Sequence, residues 1–242
     1  MNISPKRYNW LMILLRSKLN EMEFIFMLTH HDVTIPNALE VFDEVKDSGL
    51  KNIGCKDIGL NVEQYQKLFG AFRKHGIRSF LEVVTYSEQE HFRGIDLALK
   101  IGADNLIGGM PPYTKKTMDY LKAKEERLGF YPYIGTITEH PCILGGAVEQ
   151  IIKDGKEAEK YGINGINLLL YRYTDDQKQL LKATKQLKVP LIVAGNVANF
   201  DQIKELKENN IWAFTIGGAI LEKRFVKDGT NKEQIQAVLK SL

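Results

Sequence analysis

The chain has 242 residues, of which 44% are hydrophobic and 26% charged, with a formal net charge of +3. That length suits one domain with a large core, the charge is spread through helical segments with no basic run to suggest nucleic acid, and no stretch approaches the ~18 apolar residues of a membrane span. Two cysteines, Cys55 and Cys142, lie far apart and outside any CxxC spacing, which argues against a disulfide framework and for a reduced, cytoplasmic setting.

Lys6 and Arg7 precede an apolar stretch at residues 10–15, but Arg16 and Lys18 follow where a signal peptide would carry small residues. Residues 1–21 are therefore expected to form an amphipathic helical extension across the closed end of the domain. Met22, directly before the first strand, is an alternative start.

From residue 22 to 242, apolar runs of about five residues alternate with segments of helical period. The predicted strands are 24–28, 52–55, 78–84, 105–107, 131–134, 165–170, 191–194 and 211–216. The predicted helices are 36–47, 62–74, 87–101 with Ser87 as cap, 115–126, 148–161, 175–187, 200–209, a short 219–222 and a final 232–239. Eight such units predict an α/β fold, a single closed (β/α)8 TIM barrel with the N-terminal helix as its cap. An open doubly wound sheet would carry a nucleotide fingerprint after strand one, and the Thr-His-His-Asp turn there is not GxGxxG.

In a parallel barrel the working residues stand at the C-terminal ends of strands, which selects His30, His31, Asp32, Lys56, Asp57, Glu82, Thr85, His140, Tyr171, Arg172, Tyr173 and Asn196. Side-chain alternation narrows the choice. If Ile53 and Cys55 face the helices, then Asn52, Gly54 and Lys56 face the barrel interior, and Cys55 is an apolar-buried, unreactive thiol. Glu82 interrupts the run Phe80-Leu81-Glu82-Val83-Val84, and a carboxylate there needs to point into the mouth and meet a partner. Lys56, on the adjacent strand, is the expected partner. Lys56 and Glu82 are thus the expected catalytic pair, able to move a proton next to a carbonyl; a structural ion pair that holds two strands in register is the competing reading.

His30, His31 and Asp32, with His140 and Glu82, raise a metal site, but adjacent histidines on an extended segment point opposite ways and no HxH or HxxxH spacing supports it. No metal ligands are assigned. His30, His140, Tyr171 and Arg172 are expected to contact substrate. The turns Gly195-Asn196 and Gly217-Gly218, which end strands seven and eight, expose backbone N–H groups beside a helix start and form an expected phosphate site.

With those turns placed, Ala194-Gly195-Asn196-Val197 and Ile216-Gly217-Gly218-Ala219-Ile220 resemble the ribulose-phosphate-binding barrel superfamily, and within it are most similar to the N-acetylmannosamine-6-phosphate 2-epimerase family. The resemblance covers about thirty residues. It implies a small phosphorylated sugar as ligand and isomerase or epimerase chemistry. It departs at strand seven, where that family carries a catalytic glutamate and this chain has Ala194. Two alternatives stay open: an aldolase or lyase that uses Lys56 as a Schiff-base amine, and a non-catalytic binder of phosphorylated metabolites. The reading needs no cofactor, although FMN, which related barrels hold at the same turns, and a divalent metal stay open. Neither nucleic acid nor membrane is an expected partner; a homo-oligomer is compatible with the sequence.

Overall fold

A computed structural model describes residues 22–85, 87–139 and 141–242. The expected extension 1–21 lies outside the described residues. The chain builds a parallel barrel from β1 (Glu23–Met27), β2 (Asn52–Lys56), β3 (Arg78–Val83), β4 (Asn105–Gly108), β5 (Gly129–Tyr131), β6 (Ile166–Leu168), β7 (Leu191–Val193) and β8 (Ala213–Ile216). Their order is β6-β7-β8-β1-β2-β3-β4-β5, and every neighbouring pair is parallel. The seam between β5 and β6 is bridged by the N–H of Asn164 donating to the Phe130 carbonyl (3.0 Å) and the N–H of Asn167 donating to the Pro132 carbonyl (2.9 Å).

Strand alternation sorts the apolar residues into two cores. Ile25, Met27, Phe80, Ile107, Tyr131, Ile192, Trp212 and Ala213 fill the barrel, with Tyr131 stacked on Trp212 at 5.6 Å between centroids. Phe24, Phe26, Ile53, Cys55, Leu81, Val83, Phe130, Leu168, Val193 and Phe214 belong to the larger outer core under the helices. Those helices are α1 (Ala38–Val45), α2 (Val62–Lys74), α3 (Glu88–Ile101), α4 (Thr114–Ala123), α5 (Val148–Lys160), α6 (Gln177–Ala183), α7 (Phe200–Glu208), the short α8 (Gly218–Leu221) and α9 (Asn231–Lys240). Several begin where side chains can satisfy the first free N–H groups. Ser87, Asp176 and Asn199 cap α3, α6 and α7, while Asn61 with Gln64 and Thr230 with Glu233 form reciprocal capping boxes for α2 and α9. Among the described residues, no helix is long and apolar enough to cross a membrane.

Two departures from the sequence reading shape the mouth. The fifth strand ends at Tyr131; Pro132 has no N–H to donate, while the Tyr133 N–H still donates to the Gly109 carbonyl at 3.2 Å and its side chain lines the mouth. The loops after β1 and β5 each fold into a small antiparallel ribbon, Thr29–His30 with Val33–Thr34 and Thr136–Thr138 with Ile143–Gly145.

Beneath Lys56 on β2 the inner wall is crowded. A Cβ at Gly54 would lie 2.7 Å from Met27 Sδ and 2.9 Å from the Phe80 carbonyl oxygen. The carbonyl belongs to β3 and cannot move without disturbing the pairing that holds Glu82 opposite Lys56. Gly54→Ala should therefore destabilise the fold by about 1–3 kcal/mol, the usual scale for overpacking. Guanidinium unfolding of both proteins checks this, and an unchanged midpoint would show that the β2–β3 wall is softer than its packing implies.

Candidate active site

At the C-terminal ends of the strands lies a cavity of about 270 Å³, lined by Lys56, Glu82, His30, Arg172 and both glycine turns. Lys56 is the last residue of β2, of inward parity and only 4% exposed. Its ammonium lies 2.6 Å from Asp32 Oδ1 and 3.8 Å from Glu82 Oε2. The expected pair is thus brought together, but the hydrogen-bonded partner of Lys56 is Asp32; 3.8 Å is an ion-pair distance, too long for a hydrogen bond. Glu82, 8% exposed, instead accepts a hydrogen bond at Oε1 from the Tyr133 hydroxyl at 2.6 Å. Glu82 lines the cavity, with Oε2 its oxygen nearest Lys56.

The charges continue to Arg172. This residue ends a 3-10 turn (Leu170–Arg172) after β6, and its Nη1 reaches Asp32 Oδ2 and the Cys142 carbonyl, both at 3.4 Å. A Cβ at Gly195 would lie 2.8 Å from Arg172 Cδ and Nε, so the arginine stem lies directly on the glycine turn. One chain of alternating groups therefore runs from the strand-seven turn through Arg172, Asp32, Lys56 and Glu82 to Tyr133.

Burial opposes the charge on Lys56, but the Glu82 and Asp32 carboxylates outweigh it and hold the ammonium above its ordinary pKa. Burial, with the negative charge of Glu82 beside it, pushes the Tyr133 hydroxyl well up, which keeps it a proton donor in its bond to Glu82. Burial also pushes the Cys55 thiol far up, in keeping with its expected outward, unreactive position. Asp57 lies on the outer side of the sheet against α3, where its Oδ2 would be 3.1 Å from a Cβ at Gly94; burial raises its carboxyl to about 6.

The two glycine turns differ from one another. Gly195 (φ 77°) and Asn196 (φ 60°) are both left-handed, a conformation that suits glycine and asparagine. At Gly217 a Cβ would lie 2.7 Å from the Thr29 carbonyl oxygen, so this glycine permits the close approach of the β1 end. Gly218 opens toward the cavity, with its nearest neighbours Glu222 Oε1 at 3.5 Å and His30 Cδ2 at 3.7 Å from a built Cβ. At the start of α8 the N–H groups of Ile220 and Leu221 donate to the Gly217 carbonyl at 3.0 and 3.3 Å, so Gly218 and Ala219 precede the first bonds of the helix.

His30 lines the cavity and pairs through Nε2 with Glu222 Oε1 at 3.1 Å, while Glu222 Oε2 pairs with Arg224 at 2.6 Å. His31 also lines the cavity, with its ring centroid 3.9 Å from that of His30. The expectation that only one of the pair faces the mouth fails because His31 is left-handed (φ 48°), not extended. Tyr171 does not join the site: its hydroxyl donates to Glu205 Oε2 at 2.8 Å and to the Gln202 carbonyl at 3.3 Å, turned toward α7. His140 lies outside the described residues. Among the described residues, no group of three or more His, Cys, Asp or Glu is placed to hold a metal ion. The sequence reading missed Tyr133, Glu222 and Arg224, and selected Asp32 as a strand-end residue and metal candidate without pairing it with Lys56. The one signal for Tyr133 was Pro132, which has no N–H to donate.

No protein-family profile matches the chain, and no curated protein does so. Solved structures do. Tryptophan synthase from M. tuberculosis aligns at 12% identity and a TM-score of 0.67, over 99% of this chain and 98% of that one. (S)-3-O-geranylgeranylglyceryl phosphate synthase from Thermoplasma acidophilum, in complex with sn-glycerol-1-phosphate, aligns at 12% identity and a TM-score of 0.64, over 96% and 97% of the two chains. N-acetylmannosamine-6-phosphate 2-epimerase from Clostridium perfringens aligns at 16% identity and a TM-score of 0.59, over 90% and 92%. At identities of 12 to 16% the likeness is one of fold: the chain is a (β/α)8 TIM barrel with the architecture of these three enzymes.

Proposed function

We propose that the protein is an isomerase or epimerase of a small phosphorylated sugar, acting by proton transfer next to a carbonyl. The observation that carries this reading is the meeting, in one cavity of about 270 Å³, of two glycine turns with a buried Lys56–Glu82 pair. A cavity of that size suits a small metabolite.

The Gly195-Asn196 and Gly217-Gly218 turns bind the phosphate, with the guanidinium of Arg172 beside them. The substrate carbonyl oxygen takes a hydrogen bond from the Lys56 ammonium. Glu82 Oε2 removes the proton from the adjacent carbon, and the C–H electron pair becomes the C=C bond of an enediolate while negative charge moves to the oxygen held by Lys56. The Tyr133 hydroxyl, donating to Oε1, fixes the carboxylate in place. Transfer of the neighbouring hydroxyl proton to the oxygen held by Lys56, followed by return of the carbon-bound proton from Glu82 to the former carbonyl carbon, gives an isomer; return from Glu82 to the original carbon after the planar enolate has turned its other face to the carboxylate gives an epimer.

The neighbours in fold include an epimerase and aldolases, which supports an enzyme in general. The Schiff-base lyase reading ranks lower, because attack on a carbonyl needs a neutral amine and two carboxylates hold Lys56 as an ammonium. A pure binder ranks lower still. Phosphate capture does not require an ion pair buried two strands away from the glycine turns.

Gly218→Asp places a carboxylate in the open space above the turn without backbone collision. Calorimetric titration of inorganic phosphate at matched ionic strength should show an affinity about 5- to 150-fold weaker, since a lost charge-assisted contact is worth about 1–3 kcal/mol. Equal affinity in the two proteins would reduce the turns to packing elements.

Lys56→Met and Glu82→Gln should each lower kcat on a sugar phosphate by about 10²- to 10⁴-fold while phosphate affinity stays near that of the wild type. Variants that melt early yet turn over normally per folded molecule would make the pair structural.

A further inference from the structure

Asp32 reaches the mouth by an improbable route. The ribbon after β1 pairs Thr29 with Thr34 and His30 with Val33, leaving His31 and Asp32 as a two-residue turn. Both are left-handed, at φ 48° and 60°, which is type I′ geometry and a place usually held by Asn and Gly. A non-glycine residue in this conformation carries backbone strain. The return strand is fastened to β2 at Lys56 itself: the Thr34 hydroxyl donates to the Lys56 carbonyl at 2.8 Å and accepts from the Lys56 N–H at 2.9 Å. The turn folds Asp32 back over the cavity, its side chain 9% exposed, with Oδ1 on Lys56 and Oδ2 on Arg172.

We infer that Asp32 is a positioning residue that holds Lys56 as an aimed ammonium and so confines the site to proton transfer in place of amine chemistry; this rests on the role proposed above for Lys56. Among the described residues, groups from three elements face Lys56. Asp32 comes from the β1 hairpin, Glu82 from β3, and the Cys142 thiol from the ribbon after β5, while Arg172 faces the other oxygen of Asp32 and Tyr133 that of Glu82. Of the two carboxylates only Asp32 is within hydrogen-bond distance, at 2.6 Å against 3.8 Å. Burial is the largest single influence on Lys56 and favours the neutral amine. Against burial stand the charge of Glu82, then the charge of Asp32 and its hydrogen bond; with Asp32 uncharged the last two are lost or weakened, and the amine should lose its proton at lower pH.

The test reads the nucleophilicity of Lys56 directly and needs no knowledge of the substrate. Asn tolerates the left-handed turn and keeps an oxygen toward Lys56, so Asp32→Asn removes charge with little change of shape. Asp32→Gly, which relieves the turn entirely, is the second variant should the first fold poorly. Pyridoxal 5′-phosphate, an aldehyde bearing a phosphate, is added across pH 6 to 11, trapped with borohydride, and the labelled Lys56 peptide is quantified by mass spectrometry. Reductive methylation with formaldehyde is run in parallel as a phosphate-free probe. The wild type should label at Lys56 only at strongly alkaline pH, and the variants at lower pH, with about tenfold more label at pH 8 for each unit the pKa falls. The same pH midpoint in wild type and both variants with both reagents would overturn the inference. A difference seen with formaldehyde alone would sustain it and count against the anion site instead.

Discussion

A lysine ammonium buried to 4% exposure is a constraint that the rest of the mouth has to meet. Removing such an ion from water costs several kcal/mol even after relaxation, and only well-placed opposite charges with their own hydrogen bonds offset it. Here Asp32 and Glu82 flank Lys56, and each is in turn supported, Asp32 by Arg172 and Glu82 by Tyr133. Loss of either carboxylate would leave an unbalanced buried charge, so the strained hairpin turn at His31-Asp32 and the early end of β5 at Pro132 are local costs of one arrangement.

The barrel supplies the geometry through strand parity. Lys56 and Glu82 are directly paired in the β2–β3 register, with Gly54 and Phe80 paired beneath them. The glycine turns lie across the mouth, at the ends of β7 and β8. Arg172 joins the two halves, because its stem lies on Gly195 and its head on Asp32. An anion at the turns and a reacting carbon near Glu82 would therefore sense each other through the series Arg172, Asp32 and Lys56.

Much of this was legible from residue order. Glycine-bounded apolar runs marked the strands, parity turned Lys56 inward, and the burial cost of Glu82 required a partner. The pairing of Asp32 with Lys56 was not legible, because it depends on two consecutive left-handed residues that are not glycine, and no local pattern announces them. The same turn brings both His30 and His31 to the cavity against the alternation expected of an extended segment. Tyr171 and Arg172 looked equivalent in sequence, yet the 3-10 turn sends one to α7 and the other into the mouth. Gly217 and Gly218 also looked alike. Both line the cavity, and the close approach of Thr29 to Gly217 separates it from Gly218, which has room for a Cβ.

The central claim is that the carboxylate beside Lys56 removes a carbon-bound proton from a phosphorylated sugar. Proton NMR in deuterium oxide tests it most directly, with the wild-type protein added to a panel of ketose phosphates and 2-acetamido aldose phosphates. The account predicts that at least one member loses the signal of the proton next to its carbonyl, far faster than in buffer, while its unphosphorylated counterpart does not. Binding of these phosphates with no exchange in any of them would contradict it and leave a phosphate-binding barrel without this chemistry.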